Sequence, residues 1–221
     1  MNYHVEFDLA FAKNTYPGKY YAFEGIDGSG KTTQVHKLAE FFQSQGRDVI
    51  ITKEPSDTDG VVGELIHRIL TKEISVPSMT LQYLFAADRA LHLDEVVIPA
   101  LKQDKIVISD RSFWSAVAYG ISDLNLAENE RERMLLAHNV LAMYGGYLCP
   151  DRTFVIDVPA YIAMQRVVER KKEQTIYERV EMLAKVQQEY AWMAQKFPEV
   201  LKLINGAQSV DEVFKQVVDT I

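Results

Sequence analysis

The residues Gly25-Ile-Asp-Gly-Ser-Gly-Lys-Thr32 fit the pattern G-x-x-x-x-G-K-[ST] at every fixed position. An apolar run, KYYAFE, precedes them, and a helical pattern follows. Such a loop turns backbone N–H groups inward around phosphate oxygens, which needs glycine where a side chain would block the approach. The N-terminus of the following helix adds partial positive charge. Lys31 can reach the β- and γ-phosphates of a nucleoside triphosphate, and the Thr32 hydroxyl can ligate Mg²⁺. Gly25, Ile26, Asp27, Gly28, Ser29, Gly30, Lys31, Thr32 and Thr33 are therefore the candidate nucleotide-binding residues. Asp27 is the oddity, an acid inside a loop built for anions. A chance glycine-rich turn is the bland alternative, and a strand and a helix in the required places argue against it.

Two further groups could handle a second substrate. The apolar run IVIS ends in Asp110-Arg111, where an open α/β sheet places its chemistry. Asp110 could hold Mg²⁺ or its waters, and Arg111 could grip a phosphate with two parallel hydrogen bonds. A plain helix-capping role would explain Asp110 equally well. In LFAADR, Phe85 and Arg89 stand four residues apart on one helix face. One could stack on a planar base while the other hydrogen-bonds its edge. A core phenylalanine beside a surface arginine is the simpler reading of that pair. The phosphate loop alone does not separate a kinase from a GTPase, a motor or an ATP-driven switch.

These groups need a scaffold, and the chain supplies one in a β-then-α rhythm. Short runs KYYAFE, DVIIT, IVIS, TFVID and VLKLI are largely apolar rather than alternating, as in parallel strands covered on both faces. Between them the patterns predict helices near 30–45, 61–71, 79–103, 112–120, 128–144, 159–172, 175–196 and 209–220. The rhythm predicts a parallel sheet with right-handed crossovers and ligands beyond the carboxyl ends of its strands. Residues 1–18 precede the first strand, end in a Pro-Gly turn signal, and read as an added strand, a clamp or a loose arm.

Bulk properties narrow the class. A chain of 221 residues suffices for one substantial domain, with 48% hydrophobic and 25% charged residues. The formal net charge of −7 argues against a nucleic-acid binder but leaves room for a phosphorylated small molecule held by a local basic cluster. A single cysteine, Cys149, permits no internal disulfide. No apolar run reaches membrane-spanning length, and His4, Glu6 and Asp8 stand where a signal peptide would be apolar. A cytoplasmic, single-domain protein is expected, with no membrane partner.

FEGIDGSGKTT, KEP, LFAADR, SDRSFWSAVAYG, PDRTFVIDVP, YERVE and INGAQSVDEV occur in the order and spacing of the thymidylate kinases, which the chain resembles from residue 19 to 221. The resemblance implies a three-layer α/β P-loop kinase fold, a five-stranded parallel sheet flanked by helices. It also implies a lid near 166–179, a homodimer, ATP with Mg²⁺ as phosphate donor, and thymidine monophosphate as acceptor. By the same resemblance Phe85 stacks on thymine and Arg89 hydrogen-bonds its exocyclic oxygen. Arg111 binds the acceptor phosphate with help from Lys53, and Pro55 belongs to the same substrate-binding turn. Asp27 meets the 3′-hydroxyl, Tyr119 crowds the 2′ position, Ser115 belongs to the acceptor site and Tyr177 closes over the nucleotide. Thr32 and Asp110 are the expected metal residues. Ala207 and Gln208 lie in the loop beside adenine, although a plain turn capped by Ser209 explains that stretch almost as well.

In some members an arginine follows the acidic loop residue and neutralises the transferring group; here that position is Gly28. The expected substitute is a lid arginine, Arg170 or its neighbours, with Lys31 and Arg111 as the other catalytic cations. A solvated helix face is the competing account of that basic run. Two departures touch base recognition: Ser112 replaces a common Tyr or His, and Ala116 stands where many members carry a polar side chain. A kinase for another nucleoside monophosphate or for a deoxynucleoside is the nearest rival. A regulatory NTPase is the remote one, and it gives Phe85 and Arg89 nothing to do.

Overall fold

Three strands combine near-continuous burial with β-branched and aromatic residues: β1 (Lys19–Glu24), β3 (Ile106–Asp110) and β4 (Arg152–Asp157). Two edge strands, β2 (Val49–Lys53) and β5 (Leu201–Asn205), show the interrupted burial of strands with one exposed flank. All five pair in parallel in the order β2-β3-β1-β4-β5. This is the five-stranded α/β sheet that the sequence rhythm predicts. The computed structural model describes residues 10–56, 60–124, 130–171 and 177–221, leaving out the side chains of 123–124, 170–171 and 177–179.

Register brings the chemistry together. Phe23 of β1 and Lys53 of β2 both face Asp110 across the ladder, so the carboxyl ends of three strands finish at one level. The period-2 alternation divides the core. Tyr20 and Val107 pack with Leu93, Val97 and Leu101, while Tyr21, Phe23, Ile106 and Ile108 join the larger cluster on the other face.

Helices cover the sheet: α1 (Lys31–Ser44), α2 (Val61–Leu70), α3 (Ser78–His92), α4 (Ile98–Lys102), α5 (Phe113–Leu124), α6 (Glu130–Leu141), α7 (Ala160–Lys171), α8 (Tyr177–Lys196) and α9 (Val210–Val218). The single helix expected over 79–103 is divided by a π-helical segment, Leu93–Val97. Pro99, in the first turn of α4, has no N–H to continue an α-helical ladder, which accounts for the change of pitch there. Ser209 caps α9 through a reciprocal box with Glu212.

The described part of the arm before β1 is docked on the body. Ala12 bridges Leu148 in parallel and accepts from the Cys149 N–H at 2.9 Å. Phe11 packs on Phe113, Trp114 and Phe197 with ring centroids 5.7, 5.5 and 6.2 Å away. Asn14 donates to Asp151, whose carboxylate also accepts from the Tyr20 N–H.

Candidate active site

The phosphate loop runs from the end of β1 into α1. Gly30 caps α1 in the left-handed region at φ 97°, no side chain caps the helix, and its first turn holds no acid. Its amino end therefore retains backbone donors and positive dipole for an anion. Gly28 is required twice over. Its φ is +83°, and a Cβ there would stand 2.1 Å from the Ala163 carbonyl oxygen and 2.9 Å from Val167 Cγ2 on α7. The arginine carried here by some members therefore has no room in this chain. Arg166, one turn along α7 from those contacts, instead reaches over the loop. Its Nη1 donates to Ser29 O at 3.4 Å and its Nη2 to Gly206 O at 3.3 Å.

Lys31 is buried, and its ammonium donates to the Ile26 carbonyl at 3.0 Å. Burial, reinforced by the nearby Arg111 charge, pushes its pKa down to about 8. Thr32 Oγ1 donates to Asp110 Oδ2 at 2.6 Å, so the two expected metal residues are adjacent although 78 positions apart in sequence. Asp27 forms an ion pair with Arg111, 2.5 Å from Oδ1 to Nη2.

Arg111 is the hub. Its backbone lies at φ 76° and its N–H donates to Phe23 O at 2.8 Å, which folds the chain back over the end of β1. Nη1 donates to Ser115 Oγ at 3.1 Å and to Gly25 O at 3.3 Å, and the guanidinium sits 5.6 Å from the centroid of the Tyr119 ring. Behind it lies a knot that motif reading missed. Glu24 is fully buried and accepts from the Ser112 N–H at 2.7 Å, the Ser115 N–H at 3.1 Å, the Ser115 hydroxyl at 2.5 Å and the Tyr190 hydroxyl at 2.8 Å. A strand-end carboxylate thus caps the amino end of α5. Burial raises the Glu24 pKa, and the Arg111 charge with the surrounding donors opposes the rise. The only local sign was an acid closing an otherwise apolar strand.

A cavity of about 450 Å³ opens beside this hub. Asp27, Pro55, Phe85, Arg111, Ser115 and Tyr119 line it, so six of the expected acceptor residues share one space. Lys53 and Pro55 line an adjoining cavity of about 260 Å³ with Asp110 and Arg111. Arg89 is placed differently. It is 1% exposed, donates to Glu54 Oε1 at 2.6 Å and to Leu148 O at 2.7 Å, and lies over the Phe113 ring at 4.8 Å. Both terminal nitrogens thus have protein partners, and Arg89 is not among the residues lining the acceptor cavity. Glu54 also meets His92 Nδ1 at 3.0 Å, and His92 Nε2 meets Thr52 Oγ1 at 2.7 Å.

A family profile for thymidylate kinase matches residues 23–217. The chain belongs to the thymidylate kinase family. A probable thymidylate kinase of Thermococcus kodakarensis is 36% identical over 210 residues, covering 91% of this chain and 96% of the relative. One from Pyrococcus horikoshii is 35% identical over 209 residues, covering 91% and 94%. The thymidylate kinase of Bifidobacterium longum subsp. infantis is 31% identical over 206 residues, covering 90% and 84%.

Among the residues assigned from the family pattern, Ile26 is buried, Ser29 is buried with an unpartnered hydroxyl, and Thr33 is exposed on α1. Ala207 and Gln208 are exposed in the β5–α9 loop, where the Ala207 N–H donates to Asn205 Oδ1 at 3.1 Å and Gln208 accepts from Gln216 at 2.7 Å. The side chains of Arg170 and Tyr177 lie outside the described residues.

Proposed function

We infer that this protein transfers the γ-phosphoryl group of ATP to thymidine 5′-monophosphate, giving the diphosphate on the route to dTTP. The observation that carries the reading is the Asp27–Arg111 pair, where the phosphate loop touches a cavity lined by Phe85 and Tyr119. Phosphoryl transfer asks a protein chiefly for alignment and charge neutralisation. Lys31 and the amino end of α1 would hold the donor phosphates, and Arg111 with Lys53 the acceptor phosphate. Phe85 would stack on the base; Arg89, expected at its exocyclic oxygen, is held by Glu54 and Leu148 and would have to release one of them to reach it. Pro55 and Ser115 would help form the acceptor wall, Asp27 would meet the 3′-hydroxyl and Tyr119 would exclude a 2′-hydroxyl. Ala207 and Gln208 would border the adenine. Arg170 would enter as the lid cation and Tyr177 would close over the nucleotide.

The Thr32 hydroxyl and Asp110 carboxylate form an all-oxygen donor set suited to Mg²⁺, a hard cation that keeps several waters. When bound, the metal would neutralise charge on the donor phosphates. Exposed apolar residues on α2, α3 and β2, among them Val61, Tyr83, Leu91 and Ile51, support the family's homodimer. Sedimentation equilibrium at the mass of one chain would refute that assembly. Among the described residues no helix is long and apolar enough to cross a membrane, and a cytoplasmic location is proposed with the nucleotide chemistry.

The test is ATP-dependent phosphorylation of dTMP, dUMP, UMP, CMP, dGMP and thymidine with Mg²⁺. The expected result is dTMP as the best acceptor. A preference for UMP or CMP would overturn the role of Tyr119, and stimulation of ATP hydrolysis only by a protein partner would overturn the kinase reading.

A further inference from the structure

Gln82 lies in α3 one turn before Phe85, so the two side chains leave the helix on one face and both line the acceptor cavity. It is 7% exposed, and its Oε1 is buried with no hydrogen-bond partner. A carboxamide oxygen in that state has lost its solvation without compensation, which native proteins seldom tolerate. The facing helix is shaped to admit the side chain. Ala116 and Gly120 are one turn apart on α5, and a Cβ on Gly120 would stand 3.1 Å from Gln82 Nε2.

Several other polar groups on the cavity wall are engaged. Ser112 and Ser115 give their hydroxyl protons to Glu24, Asp27 pairs with Arg111, and Asp88 accepts from the Ser56 N–H at 2.8 Å. The Tyr144 hydroxyl is buried and unpartnered too, but a phenol brings one proton, whereas a carboxamide sets a donor beside an acceptor.

We propose that Gln82 reads the edge of the acceptor base stacked on Phe85, its carboxamide oxygen accepting from the ring N3–H and its NH₂ donating to O4. Resting on the acceptor assignment above, this makes Gln82 a specificity-determining residue for bases with an imide edge, thymine and uracil alike. The carboxamide packs against Gly120 with its oxygen buried, so reading that edge requires a change of side-chain rotamer that turns the amide into the cavity. Burial of the amide makes a mismatched edge expensive, because either partner is then left without a hydrogen bond.

The experiment compares dTMP with its 3-deaza analogue, a 4-hydroxy-2-pyridone whose C3–H and C4–OH replace both N3–H and the C4 carbonyl at nearly unchanged shape, in the wild-type protein and in Gln82→Met. The wild type is expected to favour dTMP roughly ten- to a hundredfold in kcat/KM, chiefly through KM. In Gln82→Met that ratio falls to about one, with the KM for ATP unchanged and the thermal midpoint equal or higher, since a buried orphan oxygen is removed. A wild type that uses both acceptors equally overturns the proposal without recourse to any variant. A folded Gln82→Met that keeps the wild-type ratio overturns it as well. A wild type that phosphorylates neither acceptor, yet phosphorylates another monophosphate, overturns the acceptor assignment and the role of Gln82 with it.

Discussion

Lys31 offers a test of the phosphate loop that does not depend on turnover. Its side chain is 6% exposed and donates to a carbonyl of its own loop, with a pKa pushed from 10.5 to about 8 by burial first and by Arg111 second. A bound polyphosphate favours the charged form and returns the group toward its ordinary value. Binding must then take up protons wherever the free protein has lost them. With a free value of about 8 and a bound value of about 10.5, uptake per site is nearly zero at pH 6.5, about 0.5 at pH 8 and about 0.75 at pH 8.5. Nucleotide phosphates, whose last pKa is near 6, have already lost that proton in this range and contribute little.

Calorimetric titration with MgADP in buffers of differing ionisation enthalpy gives the proton number as a slope. Uptake that grows from pH 7 to 8.5, and vanishes in Lys31→Met, is expected. A flat slope at pH 8.5, or net release, would refute the linkage between this buried ammonium and the phosphates. The same shift has a sign for stability. The unfolded chain binds the Lys31 proton more tightly than the folded one, so the nucleotide-free protein gains stability as pH rises from about 8 toward 10.5. Saturating nucleotide should remove that gain.

Two further outcomes follow from packing. Glu54→Gln leaves the Arg89 guanidinium buried without its anion and should cost about 3–5 kcal/mol in urea unfolding at pH 7. Burial opposes the Glu54 charge, but Arg89 and His92 outweigh it and hold the carboxyl below its usual range, so the contribution is present at neutral pH and fades in acid. Wild type and variant should therefore converge as pH falls, and a constant gap would contradict this account. Gly28→Ala combines left-handed strain with a collision against α7 and should cost about 2–5 kcal/mol, roughly 5–15 °C in thermal midpoint, with a raised KM for ATP. Unchanged melting would show that loop and helix are not in the contact described.

What the sequence made legible is local or periodic. Apolar runs named all five strands, and the glycines with Lys31 named the phosphate loop, because each signal lies within a dozen residues. Asp110 and Arg111 were readable as site candidates from their place at a strand end, and parallel register then sets Asp110 beside Phe23 and Lys53. Partners distant in sequence were not legible. Glu24 and Tyr190 lie 166 positions apart, and Arg89 meets Glu54 across 35 and Leu148 across 59. An arginine on a helix reads as surface until the carboxylate that neutralises it is located. Gln82 gave no motif signal, because an orphan acceptor exists only once α5 packs against α3.

One carboxylate and one guanidinium explain why donor loop and acceptor wall hold a common frame. Glu24 ends β1, Gly25 opens the phosphate loop immediately after it, and the Glu24 side chain fastens the first turn of α5 through Ser112 and Ser115. Arg111 joins β3 to α5, ties its backbone to Phe23 and its side chain to both Gly25 and Asp27. Displacing α5 by even a fraction of an ångström would lengthen several of these bonds together, in a buried setting where each lost partner is costly. The phosphate loop cannot shift independently for a similar reason, since Gly28 lies against the Ala163 carbonyl. Alignment of two anionic substrates is what phosphoryl transfer demands of a protein. Here it is supplied by strand ends and helix caps that also hold the fold together, so a substitution that loosens Glu24 should disturb donor and acceptor binding jointly.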